Sequence, residues 1–128
     1  DGADCRDATF GFADLRGASL RGACLERASM TYVDMSGASL AGAFLAGADL
    51  SDSTLIAADL SLANCTSAKL QHADFTRAVI RGTSLRGADL TGATFDGADY
   101  DGADFGGALG TPTASFKNVV GTPVGLHH

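Results

Sequence analysis

Few side chains in this sequence have the chemistry of a catalytic or metal-binding group. His72 is the one histidine away from the C-terminus; Gln71 precedes it, and we expect no cysteine or second histidine near it. The sequence contains no Ser-His-Asp or Cys-His set, no spacing suited to zinc and no glycine-rich loop that leads into a helix. We therefore predict no catalytic, metal or cofactor-binding residues, and a protein that is not an enzyme.

One five-residue repeat must position every side chain. Across Ala3–Phe105 the unit occurs 21 times without an insertion or deletion. We call its positions small, outward, large, first corner and second corner. Extended to Ala108, 19 of the 22 small positions hold Ala, and Val33, Ser53 and Thr83 fill the rest. The large positions hold Leu, Phe, Met, Cys, Ile or Tyr. Such a fixed period indicates a repeat architecture.

The period of five decides the geometry. On an α-helix a step of five residues rotates by roughly 140°, so the large residues would form no face. On a flat strand, side chains alternate with period two, so successive units would point to opposite sides. Both apolar sets stay on one side only if the chain turns once per unit, which predicts a solenoid.

Individual units identify a family. Ala13-Asp14-Leu15-Arg16-Gly17, Ala48-Asp49-Leu50-Ser51-Asp52 and Ala88-Asp89-Leu90-Thr91-Gly92 resemble the A(D/N)LXX motif of the pentapeptide repeat proteins. The resemblance implies an all-β fold, a right-handed quadrilateral parallel β-helix with four units per coil and about five to six coils. Residues 20 apart would then be neighbours roughly 4.8 Å apart.

The repeat predicts a boundary near residue 109. We assign residues 1–109 to the β-helix and 110–126 to a degenerate last coil in which Thr113 is an inserted residue. After it, Val119-Val120-Gly121 and Val124-Gly125-Leu126 would resume the five-residue step. The alternative is an irregular tail that folds over the open end, and either arrangement would cap the core. We interpret His127-His128 as the remnant of a tag.

The first residues show no comparable plug. The chain starts at Asp1, already in register and without Met. Either the parent protein continues upstream or two molecules associate end to end through the N-terminal coil, and the pattern favours the first.

The cysteines do not predict a disulfide framework. Cys5 and Cys65 share a core column three coils apart, roughly 14 Å, which exceeds the Cα limit of about 7 Å for a bridge. Cys24 is in an outward position. Free thiols suit a reducing compartment, so the cysteines favour a cytoplasmic protein.

Glycine marks the corners. Twelve of the 17 glycines are in the second corner position, where a positive φ is often needed. Six successive corners from Asp52 to Arg77 lack glycine. We predict a different turn type there, without a left-handed residue.

The charge of the chain bears on its partners. A formal charge of −6 argues against direct binding of nucleic acid, which needs clustered Lys and Arg. The family resemblance adds an alternative, because quinolone-resistance members present an acidic, DNA-mimicking rod to DNA gyrase or topoisomerase. The densest acidic group would ring the last full coil: Asp89, Asp96, Asp99, Asp101 and Asp104. A protein that mimics the phosphate backbone of DNA instead requires acidic side chains in a row along the axis of the rod.

Outward apolar residues are the other candidate surface. Phe12 and Tyr32 fall in one corner column on adjacent coils, where they should contact each other, whereas Phe44, Ile56 and Leu62 fall on other walls. Such residues can mark a partner surface. No apolar run approaches the length of a membrane span. We therefore predict a non-enzymatic protein-interaction or scaffold module with an unidentified protein partner.

Overall fold

The protein winds as a square tube. In the computed structural model, which describes residues 2–126, outward residues one coil apart pair as parallel single-residue bridges. The first face carries Asp4, Cys24, Phe44, Asn64, Ser84, Asp104 and Val124; the second Thr9, Ser29, Asp49, Lys69, Asp89 and Leu109; the third Asp14, Asp34, Thr54, Asp74, Thr94 and Ser115; the fourth Ser19, Ser39, Asp59, Val79, Asp99 and Val120. This is the predicted right-handed quadrilateral parallel β-helix.

Backbone hydrogen bonds join each coil to the two beside it. Phe44 donates its N–H to Ala23 O on the coil below at 2.9 Å, and Leu45 donates to Asn64 O on the coil above at 2.7 Å. At the corner, Gly47 donates upward to Thr66 O at 3.0 Å. A fourth bond closes the turn within the unit, from the next small residue back to Leu45 O at 3.0 Å. Four of the five N–H groups of a unit thus have backbone partners.

The core contains the small and large positions. From Ala23 to Phe105 these residues are almost fully buried, with Tyr100 the most exposed at 9%. Two small positions hold hydroxyl groups, and both groups find acceptors: Ser53 Oγ donates to Leu50 O and Thr83 Oγ1 to Leu60 O, each at 2.6 Å. Buried polar atoms are therefore compatible with this narrow core.

The two ends of the core differ. In the first coil the inward side chains of Phe10, Leu15 and Leu20 are only half-buried. At the other end, Phe116 stacks on Phe95 with ring centroids 5.1 Å apart. The last coil therefore covers the C-terminal aromatic core, whereas no coil within residues 2–126 covers the first.

The C-terminal segment follows the tube with two changes of step. A 3-10 turn, Thr111–Thr113, precedes Ser115, which bridges Thr94 at a separation of 21 rather than 20 residues. Val124 bridges Asp104 at 20 again. Val120 and Val124 are therefore both outward and only four residues apart, so the predicted five-residue step between the last two valine units is wrong. His127-His128 lies outside the described residues.

The predicted change of turn type is also wrong. All six corners from Asp52 to Arg77 have positive φ, between 57° and 62°, as the glycine corners do. The backbone ladder imposes this geometry: at one such corner Leu62 donates to Arg81 O at 3.0 Å, and Ala63 closes the turn to Leu60 O at 2.9 Å. A left-handed conformation costs a non-glycine residue about 1–2 kcal/mol. These six residues adopt it nevertheless, because it preserves the hydrogen bond to the next coil and the one that closes the turn.

Candidate interaction surface

An exposed aromatic pair occupies one corner of the first two coils. The rings of Phe12 and Tyr32 stack with centroids 5.0 Å apart and planes 3° apart, as the sequence predicted. Phe12 is 77% exposed and Tyr32 54%. Both have left-handed backbones, with φ of 64° and 59°, which is unusual for bulky residues.

The structure does not bring the other apolar candidates to this corner. Phe44 is exposed on the first face, and Leu62, 75% exposed, is at the corner that precedes that face. Ile56 is half-buried at the corner between the third and fourth faces. The only candidates joined by a ring contact are therefore Phe12 and Tyr32, within residues 2–126.

Outward aspartates have a structural role that sequence reasoning missed. In Asp59 the Oδ1 atom accepts the N–H of Ser61 at 2.9 Å and its hydroxyl at 2.6 Å. Asn64 accepts the same two bonds from Thr66, at 3.0 and 2.6 Å. This N–H, at the first corner position, is the one donor of the unit that the backbone ladder leaves unused. An Asp or Asn two residues earlier supplies its acceptor, which is the signal in the sequence that would have indicated the role.

The acidic ring of the last full coil is largely engaged in bonds. Arg81 contacts Asp99 at 3.1 Å and Asp101 at 3.3 Å, and Arg86 contacts Asp104 at 3.1 Å. The two other members accept uncharged donors. Asp89 accepts bonds from the backbone and hydroxyl of Thr91 at 3.1 and 2.7 Å. Asp96 accepts the Ser115 hydroxyl at 2.6 Å and the Lys117 N–H at 2.9 Å.

Hydrogen bonds also shift the acidity of carboxylates at the opposite end. The Arg6 guanidinium lowers the pKa of Asp4 to about 2, and the Arg16 guanidinium does the same for Asp14. Arg27, one coil above, lowers the pKa of Asp7 through bonds of 3.0 and 3.1 Å. Each aspartate of residues 2–22 is thus paired with an arginine.

Other chemically active side chains are dispersed. His72 is exposed at its corner, and a Cβ on Gly92 of the next coil would clash with the His72 imidazole. Cys5, Cys24 and Cys65 form no disulfide, and burial raises the pKa of the Cys65 thiol to about 12. Residues 2–126 contain no group of three or more His, Cys, Asp or Glu placed to hold a metal, and no pocket.

The chain belongs to the pentapeptide repeat family. The family model matches eight copies of the repeat over residues 1–31, 34–64, 58–97 and 88–111. That assignment agrees with the coil geometry. The described part of the chain has no helix with the length and apolar character of a membrane span.

Solved structures of the family have the same fold. A pentapeptide repeat protein from the Arabidopsis thaliana thylakoid lumen is 36% identical over 75% of this chain and 67% of its own, with a TM-score of 0.74. HetL of Nostoc, described as involved in the regulation of heterocyst differentiation, is 30% identical over 94% of this chain and 64% of its own, with a TM-score of 0.51. Rfr23 of Cyanothece is 23% identical over 75% of this chain and 63% of its own, with a TM-score of 0.61, and shows the fold alone. The chain thus spans about two thirds of the length of each. No curated protein matches it with significance.

Proposed function

We propose that the protein is a non-enzymatic interaction module that presents the Phe12–Tyr32 corner of a rigid rod to a protein partner. The observation that supports this most is the exposure of two stacked aromatic rings on strained backbone. Glycine fills the equivalent corner position in the following units, at Gly17 and Gly37, without that strain. Large aromatic side chains at these corners cost stability and do not fill the core, so a role outside the monomer accounts for them better.

The chemistry of the pair suits a protein interface. Aromatic residues are enriched at interface hot spots, because they bury a large area with few rotatable bonds. Phe12 and Tyr32 hold each other in one orientation, which lowers the entropy lost when a partner binds.

A DNA-mimicking surface has less support. Three of the five ring aspartates contact Arg81 or Arg86, and outward aspartates such as Asp59 complete the hydrogen bonding of the corners. Much of the acidity therefore has a structural explanation, and we favour the aromatic corner.

A binding comparison tests the proposal. A protein captured by the immobilised chain is identified by mass spectrometry and purified, and its Kd is measured against wild type and the Phe12→Ser/Tyr32→Ser variant. Loss of a hot-spot pair should weaken binding by at least about tenfold. The control is Leu62→Ser, which removes an equally exposed apolar side chain from another left-handed corner. The proposal is contradicted if the double variant binds with the wild-type Kd, or if the Leu62→Ser control no longer binds.

A further inference from the structure

The Phe12–Tyr32 corner differs in charge from the other three corners of the tube. It lies between the second and third faces, and the coils above Tyr32 place Asp52 and His72 in the same column. The seven arginines of the chain all lie at the other corners: Arg6, Arg27 and Arg86 at one, Arg16 and Arg77 at the second, and Arg21 and Arg81 at the third. Within residues 2–126, the exposed rings therefore share their corner with a carboxylate and with no Lys or Arg.

The two faces that meet at this corner are acidic. Besides Lys69, their charged outward residues are Asp14, Asp34, Asp49, Asp74 and Asp89. With Asp52, six carboxylates stand against one ammonium group, so this edge of the rod has a formal charge of −5 in a chain of −6. Thr54 and Lys69 interrupt the two columns of aspartates. The edge thus offers separate carboxylates, and not the continuous row that a mimic of the phosphate backbone requires.

Ion pairs compensate only the lower end of this edge. Arg16 contacts Asp14 at 2.7 Å and Asp34 at 4.0 Å. The other four aspartates have no ion pair within residues 2–126. Among them, the exposed carboxylate of Asp52 also accepts no hydrogen bond from this part of the chain. Both of its oxygens are therefore available to a partner.

The ring of Tyr32 provides a second attraction for a cation beside Asp52. Phe12, one coil below, covers one face of the ring in a parallel stack. The opposite face is turned towards the coil above, where Asp52 has the equivalent corner position roughly 4.8 Å away along the axis. Tyr32 is 54% exposed although coils lie on both sides of it. A cation within about 6 Å of a ring centroid is attracted to the ring face, so one placed above Tyr32 would contact the ring and the carboxylate together.

We propose that the partner bound at the Phe12–Tyr32 corner presents a basic segment, with an Arg or Lys side chain between the Tyr32 ring and the Asp52 carboxylate. This inference rests on the proposed function and specifies the chemistry of its partner. Arg suits the position better than Lys, because its planar guanidinium stacks on a ring while its N–H groups bind a carboxylate. Asp49 and Asp74, on the two sides of the corner, attract further cations of the same segment. An acidic segment would be repelled by this edge.

Selection from a random peptide library tests the chemistry of the partner. The library is selected on the immobilised wild type, and the enriched peptides are sequenced and synthesised for Kd measurements. We expect the enriched sequences to contain more Lys and Arg than the unselected library. Binding should weaken between 0.1 and 1 M salt, because salt screens exposed charges.

Four variants assign the binding to the ring and the carboxylate. Tyr32→Ser should weaken the Kd of an enriched peptide at least about fivefold, whereas Tyr32→Phe keeps the ring and should bind within about twofold of wild type. Asp52→Asn should weaken it about two- to fivefold at 0.1 M salt and less at 1 M. Asn adopts the left-handed conformation readily, so this variant should keep the Tm. Asp59→Asn is the matched control, because it removes the same charge from the fourth face and should leave the Kd unchanged.

Three results would overturn the basic partner. They are enriched sequences without an excess of Lys and Arg, basic peptides that bind Tyr32→Ser or Asp52→Asn as tightly as wild type, and an equal loss in Asp59→Asn, which would indicate attraction to the overall negative charge. A peptide or purified protein that requires Phe12 and Tyr32 but ignores Asp52 and salt removes the basic segment and keeps the proposed function. Binding that ignores both rings removes both.

Discussion

Gly110 lies against the backbone of Thr91. A Cβ on Gly110 would fall 2.6 Å from the nitrogen of Thr91 and 2.7 Å from its Cα. Gly110 also has a φ of 73° and immediately precedes the 3-10 turn at Thr111–Thr113. The inserted residue of the last coil is therefore accommodated at a point where only glycine fits.

We expect Gly110→Ala to be more destabilising than the same change at an ordinary corner. Gly42 has a φ of 66° and open space where a Cβ would be, so Gly42→Ala adds about 1–2 kcal/mol of backbone strain, offset in part by about 0.4–1 kcal/mol from the stiffer unfolded chain. Gly110→Ala adds the same strain and a clash with backbone that cannot rotate away, and should cost clearly more. Urea unfolding of both variants measures the difference. Equal losses would show that the last coil relaxes freely.

The left-handed corner at Ala57 predicts a stabilising substitution. Ala57 is exposed with a φ of 59°, so Ala57→Gly relieves about 1–2 kcal/mol of strain and loses about 0.4–1 kcal/mol through the more flexible unfolded chain. A net gain of about 0.5–1 kcal/mol is expected. Ala58→Gly, one residue later in the buried small position, should destabilise instead. Thermal and urea unfolding measure the change in stability of both variants. A loss of stability in Ala57→Gly would contradict the strain argument.

The sequence predicts the walls of the tube better than its corners. Ala and Leu at fixed period require the coil, because no other regular backbone gathers them, and Leu50 and Leu90 are fully buried as expected. The corner conformation from Asp52 to Arg77 is set by hydrogen bonds to residues about 19 positions away. Local residue type, the only signal in the sequence, is too weak to reveal it.

The contacts of the candidate surface likewise fall into those that the sequence predicts and those that it does not. The Phe12–Tyr32 contact follows from the period alone, since residues 20 apart are stacked. The contacts of Arg81 with Asp99 and Asp101 depend on how a flexible side chain extends to the next coil. The column assignment places those residues near one another but does not determine the contact.

Substitutions of Asp59 distinguish the contribution of its hydrogen bonds from that of its charge. Asp59→Asn keeps the acceptor for Ser61, as Asn64 does for Thr66, and should change the free energy of unfolding by only a few tenths of a kcal/mol. Asp59→Ala leaves the N–H of Ser61 without this acceptor and should cost about 1 kcal/mol. Unfolding in 0.1 and 1 M salt checks that the loss is not electrostatic. Equal losses for Asn and Ala would show that the charge matters.

Burial of Cys65 predicts an inert thiol. Its pKa of about 12 means that native Cys65 stays protonated at pH 8, and the thiolate is the reactive form. In a Cys5→Ala/Cys24→Ala variant, Cys65 should therefore react with a disulfide reagent only when the protein unfolds, and the reaction should be fast in denaturant. The unfolded thiol ionises near pH 8.5, so stability should fall as pH rises from that value towards 12. Rapid labelling of the native variant would contradict the burial.

A supercoiling assay with DNA gyrase addresses the remaining alternative. We expect no inhibition by the protein at high micromolar excess, because Arg81 and Arg86 contact three of the five ring aspartates and these acids do not run along the axis of the rod. Arg81→Gln/Arg86→Gln releases Asp99, Asp101 and Asp104 from these pairs and makes the rod more acidic. If acidity alone mimicked DNA, this variant would inhibit even where wild type does not. Inhibition by wild type at low micromolar concentration would contradict the prediction, and loss of that inhibition in an Asp89→Asn/Asp96→Asn variant would assign it to the ring.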